Sequence, residues 1–144
     1  MDRAQTSRRT VNELEDGNSL SLDFQKLRKV AQTGQDVLPV VLQNADSGEV
    51  IFVGYANQEA LRETLRTRSA VLWSTSRNEL WRKGATSGDV LELVEIGVNC
   101  EQNSLLYRVR LRDGACHTKT PDGRTRRTCY YRRLNDSGDG LEPR

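Results

Sequence analysis

An α+β fold, mostly antiparallel strands with two short helices in a single compact domain, is the class the sequence predicts. Three observations lead there. Runs rich in β-branched residues flank a turn signal at ADSG, residues 45–48. A clean two-residue alternation passes through SLLYRVRLR, residues 104–112. Two further segments, LDFQKLRKVAQTG and NQEALRETLRTR, carry helical spacing instead.

Taken in order, residues 1–20 are polar and aperiodic and read as a flexible N-terminal tail, with the domain over 21–134 and a second flexible tail over 135–144. Leu22, Phe24, Leu27, Val30 and Ala31 recur at near-helical intervals, and Gly34 stops the helix. VLPVVLQN and EVIFVGYA then form a hairpin across ADSG. Asn57 is placed to cap the second helix, which has Glu59 in its first turn and arginines in its last, as the helix dipole favours. AVLWSTS and NELWRKG read as strands joined by a polar turn. The alternation of VLELVEIGV slips near Val94, where a bulge is expected. In the next strand Leu105, Tyr107, Val109 and Leu111 share one face, and CYYRRL makes a last short strand.

A chain of 144 residues can bury a core without disulfide staples, and its three cysteines cannot all pair within it. No apolar run approaches the roughly 18 residues a bilayer requires, and no apolar core follows the basic start, so a cytoplasmic protein without a membrane partner is expected. Lys119, Arg124, Arg126, Arg127, Arg132 and Arg133 crowd around Cys129, which favours an anionic partner over a neutral one. A solvated loop would look the same.

Cys100, Cys116 and Cys129 all lie near strand ends, where one sheet, or two sheets across a dimer interface, can bring thiols together. Zinc suits such soft ligands, and three of them leave a fourth position for water. The spacing alone leaves open the alternative that the three are ordinary core residues, since no C-x-x-C pair occurs. His117 neighbours Cys116, and successive side chains in an extended segment face opposite ways. It is therefore placed as an acid or base beside the thiols, with a plain surface histidine as the alternative.

LPVVLQNADSGEVIFVGYANQEAL, LWSTSRNELWRKGATSGD and the three cysteines with ACHT together resemble the phosphoribosyl-AMP cyclohydrolase family of histidine biosynthesis. The resemblance runs from about Phe24 to Leu134. It implies a zinc-dependent, intertwined homodimer that opens the adenine ring of N1-(5-phosphoribosyl)-AMP at C6–N1, with zinc ligands drawn from both subunits. Cys100, Cys116 and Cys129 fall on the zinc-ligand positions and His117 on the adjoining histidine. Trp73, Ser74, Ser76, Arg77, Trp81, Arg82, Lys83, Thr86 and Ser87 fall on or beside the signature that lines the nucleotide site.

The chain also departs from that pattern. The family's Asp-Cys-Asp-x-Asp motif, associated with magnesium, reads NCEQN here, so Asn99, Glu101 and Asn103 mark a weakened or lost magnesium position. Thr75 stands in place of an arginine, Arg82 in place of a common histidine, and TPDGRTRR looks inserted. Two alternatives therefore stand beside the cyclohydrolase. One is a divergent paralogue hydrolysing another nucleotide or heterocycle. The other is a non-catalytic, zinc-stabilised binder of anions or nucleic acid, and it ranks last because a binder needs no histidine beside its metal.

Overall fold

The computed structural model describes residues 12–84 and 88–144. It divides into two compact units, one spanning Gln25–Tyr130 and the other combining the described part of Met1–Phe24 with Tyr131–Arg144.

The larger unit is built on a four-stranded sheet. Its strands are β1 (Leu38–Asn44), β2 (Val50–Ala56), β5 (Leu91–Val98) and β6 (Leu105–Leu111), in the order β2-β1-β6-β5. β1–β2 is the antiparallel hairpin expected across ADSG, and β5 and β6 form a second antiparallel hairpin. The two hairpins join through a parallel pairing of β1 with β6. Local pattern could not foresee this contact, because both strands are buried on one face whichever neighbour they take. The bulge expected near Val94 is present, as a register shift between Leu93 and Glu95. A second shift, between Leu42 and Gln43, lets consecutive residues Ile51 and Phe52 both turn inward.

The core forms on one face of this sheet. Val40, Leu42, Tyr107, Val109 and Leu91 are fully buried there with Val71 and Leu72 of β3 (Val71–Ser74) and Ala60 of the capped helix. That helix, Gln58–Thr67, is the third among the described residues, α3, and the Asn57 side chain accepts from the Ala60 N–H as its cap. α3 also carries a buried hydroxyl. Thr64 accepts from the Val71 N–H at 3.0 Å and reaches the carbonyls of Ala60 and Val71 at 2.9 Å each. Thr64→Val keeps the volume but leaves a buried N–H without its acceptor. We expect a loss of about 2 kcal/mol, read as a lower urea midpoint at an unchanged slope.

β3 pairs with β4 (Glu79–Arg82) as a separate two-stranded ribbon. The expected helix near the N-terminus, α2, is shorter than its apolar pattern suggests and spans Lys26–Gln32. Only Val30 is buried on it, whereas Leu22, Phe24 and Leu27 are 61%, 91% and 70% exposed. Leu22 and Phe24 precede this helix, so the helical spacing expected from Leu22 to Ala31 holds only from Leu27 onward.

The smaller unit corrects three expectations. A one-turn helix, α1 (Glu13–Asp16), lies within the expected N-terminal tail, so the described residues hold three helices and not two. Asn12 caps it by accepting from Leu14 N–H and Glu15 N–H. The strand expected at CYYRRL, β7 (Arg132–Leu134), begins at Arg132 and not at Cys129, and it pairs with β8 (Leu141–Pro143) from the expected C-terminal tail. Asn135 closes that hairpin by accepting from the N–H groups of Gly138, Asp139 and Gly140. Both missed elements are held by side chain to backbone bonds, which carry no hydrophobic period.

Candidate active site

The β3–β4 ribbon carries most of the signature segment. Asn78 takes a left-handed conformation, φ 58°, to turn the chain. Ser74 Oγ accepts from the backbone N–H of Arg77 at 3.2 Å and from its Nε at 3.3 Å, and it lies 3.3 Å from Ser76 Oγ. Ser74 and Ser76 thus shape the turn that aims Arg77. β4 then presents Trp81, whose ring stacks on Phe52 with centroids 5.8 Å apart. Beyond Lys83 the chain crosses the backbone of Asp89 and Val90. A Cβ on Gly84 would come within 2.4 Å of those atoms, and its φ of +85° also demands glycine. Thr86 and Ser87 lie outside the described residues.

After β6 the chain builds a small loop that gathers two thiols. Ala115 N–H and Cys116 N–H both donate to the Arg126 carbonyl at 2.9 Å, and Lys119 bridges Thr125. Between them TPDG makes a turn, closed by Thr120 N–H to Arg124 O at 2.8 Å. The inserted-looking segment is thus the hairpin that returns the chain from Cys116 toward Cys129. The Cys129 N–H is anchored on the Ile51 carbonyl of β2 at 2.8 Å.

The Cys116 and Cys129 thiols share a hydrogen bond. It is the largest of the effects that push the Cys116 thiol well below its usual range. Thr118, whose Oγ1 lies 3.0 Å from Cys116 Sγ and whose N–H donates at 3.4 Å, adds to the same effect, as does charge on His117. The same bond, burial and the neighbouring thiolate push Cys129 strongly upward, while Lys83 opposes them. Two thiols drawn together in this way offer a soft cation two sulfur donors.

A cleft of about 720 Å³ joins these parts. Arg77, Trp81, Lys83, Cys116, His117 and Lys119 line it, so Cys116 and the histidine open onto the same space as the tryptophan–lysine segment. Arg82 also borders the cleft, but its guanidinium is paired with Glu63 of α3 at 2.6 Å. Arg66 and Arg82 together hold the Glu63 carboxyl down at about 2. Sequence reading missed Glu63, which lies 19 positions from Arg82 on another element, and it missed Lys119 and Thr118 as cleft and thiol partners. The Cys-His-Thr order was the one signal for Thr118.

Two predicted parts lie elsewhere. Trp73 borders a separate cleft of about 400 Å³ with Gln35 and Asn57, and its Nε1–H donates to Gln35 Oε1. Cys100 sits in the β5–β6 turn, at the sheet edge opposite β2 where Cys129 is anchored. The two to three strand spacings of about 4.8 Å between them exceed any zinc–sulfur bond several times over. Accordingly, among the described residues no three His, Cys, Asp or Glu side chains converge.

Around Cys100 the amides close on one another. Asn99 Oδ1 accepts from Asn103 N–H and Ser104 N–H at 2.9 Å each, and Asn99 Nδ2 donates to Asn103 Oδ1 at 2.7 Å. Asn103 Nδ2 in turn donates to Glu101 Oε1 at 3.2 Å.

The phosphoribosyl-AMP cyclohydrolase family model matches residues 52–131, which include the ribbon, the Cys100 turn and both clustered thiols. A phosphoribosyl-AMP cyclohydrolase of Alkalilimnicola ehrlichii is 48% identical over 108 residues, 75% of this chain and 70% of that protein. One from Methanothermobacter thermautotrophicus is 41% identical over 111 residues, 77% of this chain and 75% of the relative. The histidine biosynthesis bifunctional protein of Thermus thermophilus is 48% identical over 98 residues, and the match spans 68% of this chain but 43% of that longer protein. With more than half of its length under the family model and its thiol loop and ribbon inside that match, the chain belongs to the phosphoribosyl-AMP cyclohydrolase family.

Proposed function

We propose that this chain is a phosphoribosyl-AMP cyclohydrolase of histidine biosynthesis. It adds water to C6 of the adenine ring of N1-(5-phosphoribosyl)-AMP and breaks C6–N1. The oxygen of water becomes the carboxamide oxygen at C6, the exocyclic nitrogen stays, and N1 leaves with a proton. The observation that carries this reading is one cleft lined by Cys116, His117, Trp81 and Lys83, with Cys129 interacting with Cys116 beside it.

The thiol pair fits zinc as half of a tetrahedral donor set, and Cys100 of a second copy would supply a third sulfur. Zinc, when bound, supplies an acidified water and an electrophile for the ring. His117, exposed at the cleft wall, takes the proton of the attacking water and delivers one to N1. Lys83, Lys119 and Arg77 hold the phosphates, since Glu63 already engages Arg82.

A homodimer follows from the same donor count. The outer sheet face supports it, with Val53, Val41, Leu106 and Gly97 in register across all four strands and Val53 49% exposed. No helix among the described residues is long and apolar enough to cross a membrane.

The amide-rich Cys100 turn favours one second reading, a paralogue that hydrolyses a related nucleotide. Turnover of phosphoribosyl-AMP, followed by ultraviolet absorbance with zinc analysis on the same sample, decides between the two. We expect turnover with about one zinc per chain. Full zinc without turnover would select the paralogue, and turnover in zinc-free protein would overturn both.

A further inference from the structure

The turn that carries Cys100 has an internal logic that fixes the orientation of both its asparagine amides. Two backbone N–H groups, of Asn103 and Ser104, point at one atom of the Asn99 side chain. Only an oxygen can accept them, so the Nδ2 of Asn99 must face Asn103. The facing atom of Asn103 must then be its oxygen, which leaves its Nδ2 to donate to the Glu101 carboxylate. Backbone bonds from Asn99 N–H to Ser104 O and from Gln102 N–H to Asn99 O, with Gln102 at φ 56°, complete the loop.

Carboxylates at both 99 and 103 would set two anionic oxygens against each other across the 2.7 Å contact that Asn99 and Asn103 make here. Such a pair holds together only around a proton or a cation. In this chain an N–H of Asn99 fills that gap, and an N–H of Asn103 fills the next. The space a magnesium ion would need is lined by amide hydrogens of its own sign, and both backbone-facing lone pairs of Asn99 Oδ1 are spent. The donor set does not fit magnesium.

We propose that Asn99 and Asn103 are positioning residues that hold the Cys100 turn by a directional amide relay, and that this relay has replaced a divalent cation. The relay has a polarity, running from Asn99 to Asn103 to Glu101, and it predicts a reversal. In Asn99→Asp the new carboxylate faces Asn103 Oδ1. Flipping the Asn103 amide cures that contact but sets its oxygen against Glu101. One repulsive contact survives either way, and a divalent cation would relieve it. Adding Glu101→Gln removes the conflict, because the flipped Asn103 oxygen then accepts from the Gln Nε2–H. Glu101→Gln alone leaves the original direction intact.

Thermal melting of the intact protein, with and without millimolar magnesium, tests this without reference to catalysis or zinc. The wild type and Glu101→Gln should melt alike and ignore magnesium. Asn99→Asp should melt about 3 °C lower and recover with magnesium. Asn99→Asp/Glu101→Gln should return to the wild-type temperature and again ignore the ion. The proposal is overturned by a magnesium-stabilised wild type, by an Asn99→Asp variant that melts normally, or by a double variant that is not rescued. Should Asn99→Asp not fold, manganese paramagnetic resonance on the wild type still decides. No bound signal that Glu101→Ala removes is expected, and finding one would overturn the relay.

Discussion

Cys116→Ser is expected to lower the bound zinc to a small fraction and to reduce turnover more than about 100-fold, beyond what loss of a supporting group costs. Cys116 is the better placed of the two clustered thiols. It is 3% exposed, held by its backbone to Arg126 O, and already favours the thiolate because Cys129 and Thr118 hydrogen bond to it. Serine offers a harder, protonated oxygen of similar shape, so Thr118 and Cys129 keep a partner and the loop keeps its fold. That separates a metal-site effect from a folding effect. Circular dichroism should be unchanged while metal analysis and turnover fall together. Full activity in a variant without bound metal would remove the basis for the site.

Where local chemistry specified a feature, the sequence announced it. Leu105, Tyr107 and Val109 alternate inward as expected, Asn57 caps α3, and the Val94 slip is a bulge. Features made by distant partners stayed hidden. The parallel β1–β6 pairing links residues such as Val40 and Leu105, and the Glu63–Arg82 ion pair links a helix to the ribbon. Neither leaves a periodic trace. The thiols show both sides of this. Residue type alone flagged Cys116 and Cys129, and the turn in TPDG explains how the chain returns between them. Cys100 has the same residue type but sits at the far sheet edge, so grouping all three by type implied a convergence that one chain does not make.

That separation yields the second large effect. If each site takes Cys116 and Cys129 from one copy and Cys100 from the other, then Cys100→Ser and Cys116→Ser break different halves of the same site. Each variant alone should be inactive, because every site in either homodimer lacks one sulfur. Unfolding and refolding an equal mixture changes the outcome. Half of the dimers then pair one chain of each kind, and in those one site receives both intact contributions while the other site loses both. Activity should return to about one quarter of the wild type, with a matching return of zinc. A site built within one chain cannot behave this way, since mixing would never unite an intact Cys100 with an intact Cys116. With one variant nitrogen-15 labelled so that heterodimers are distinguishable by mass, an inactive mixture that nevertheless contains them would exclude the shared site. Active Cys100→Ser homodimers would show that the exposed turn thiol is no ligand at all, leaving the pair at Cys116 and Cys129 to act with a donor from elsewhere in the cleft.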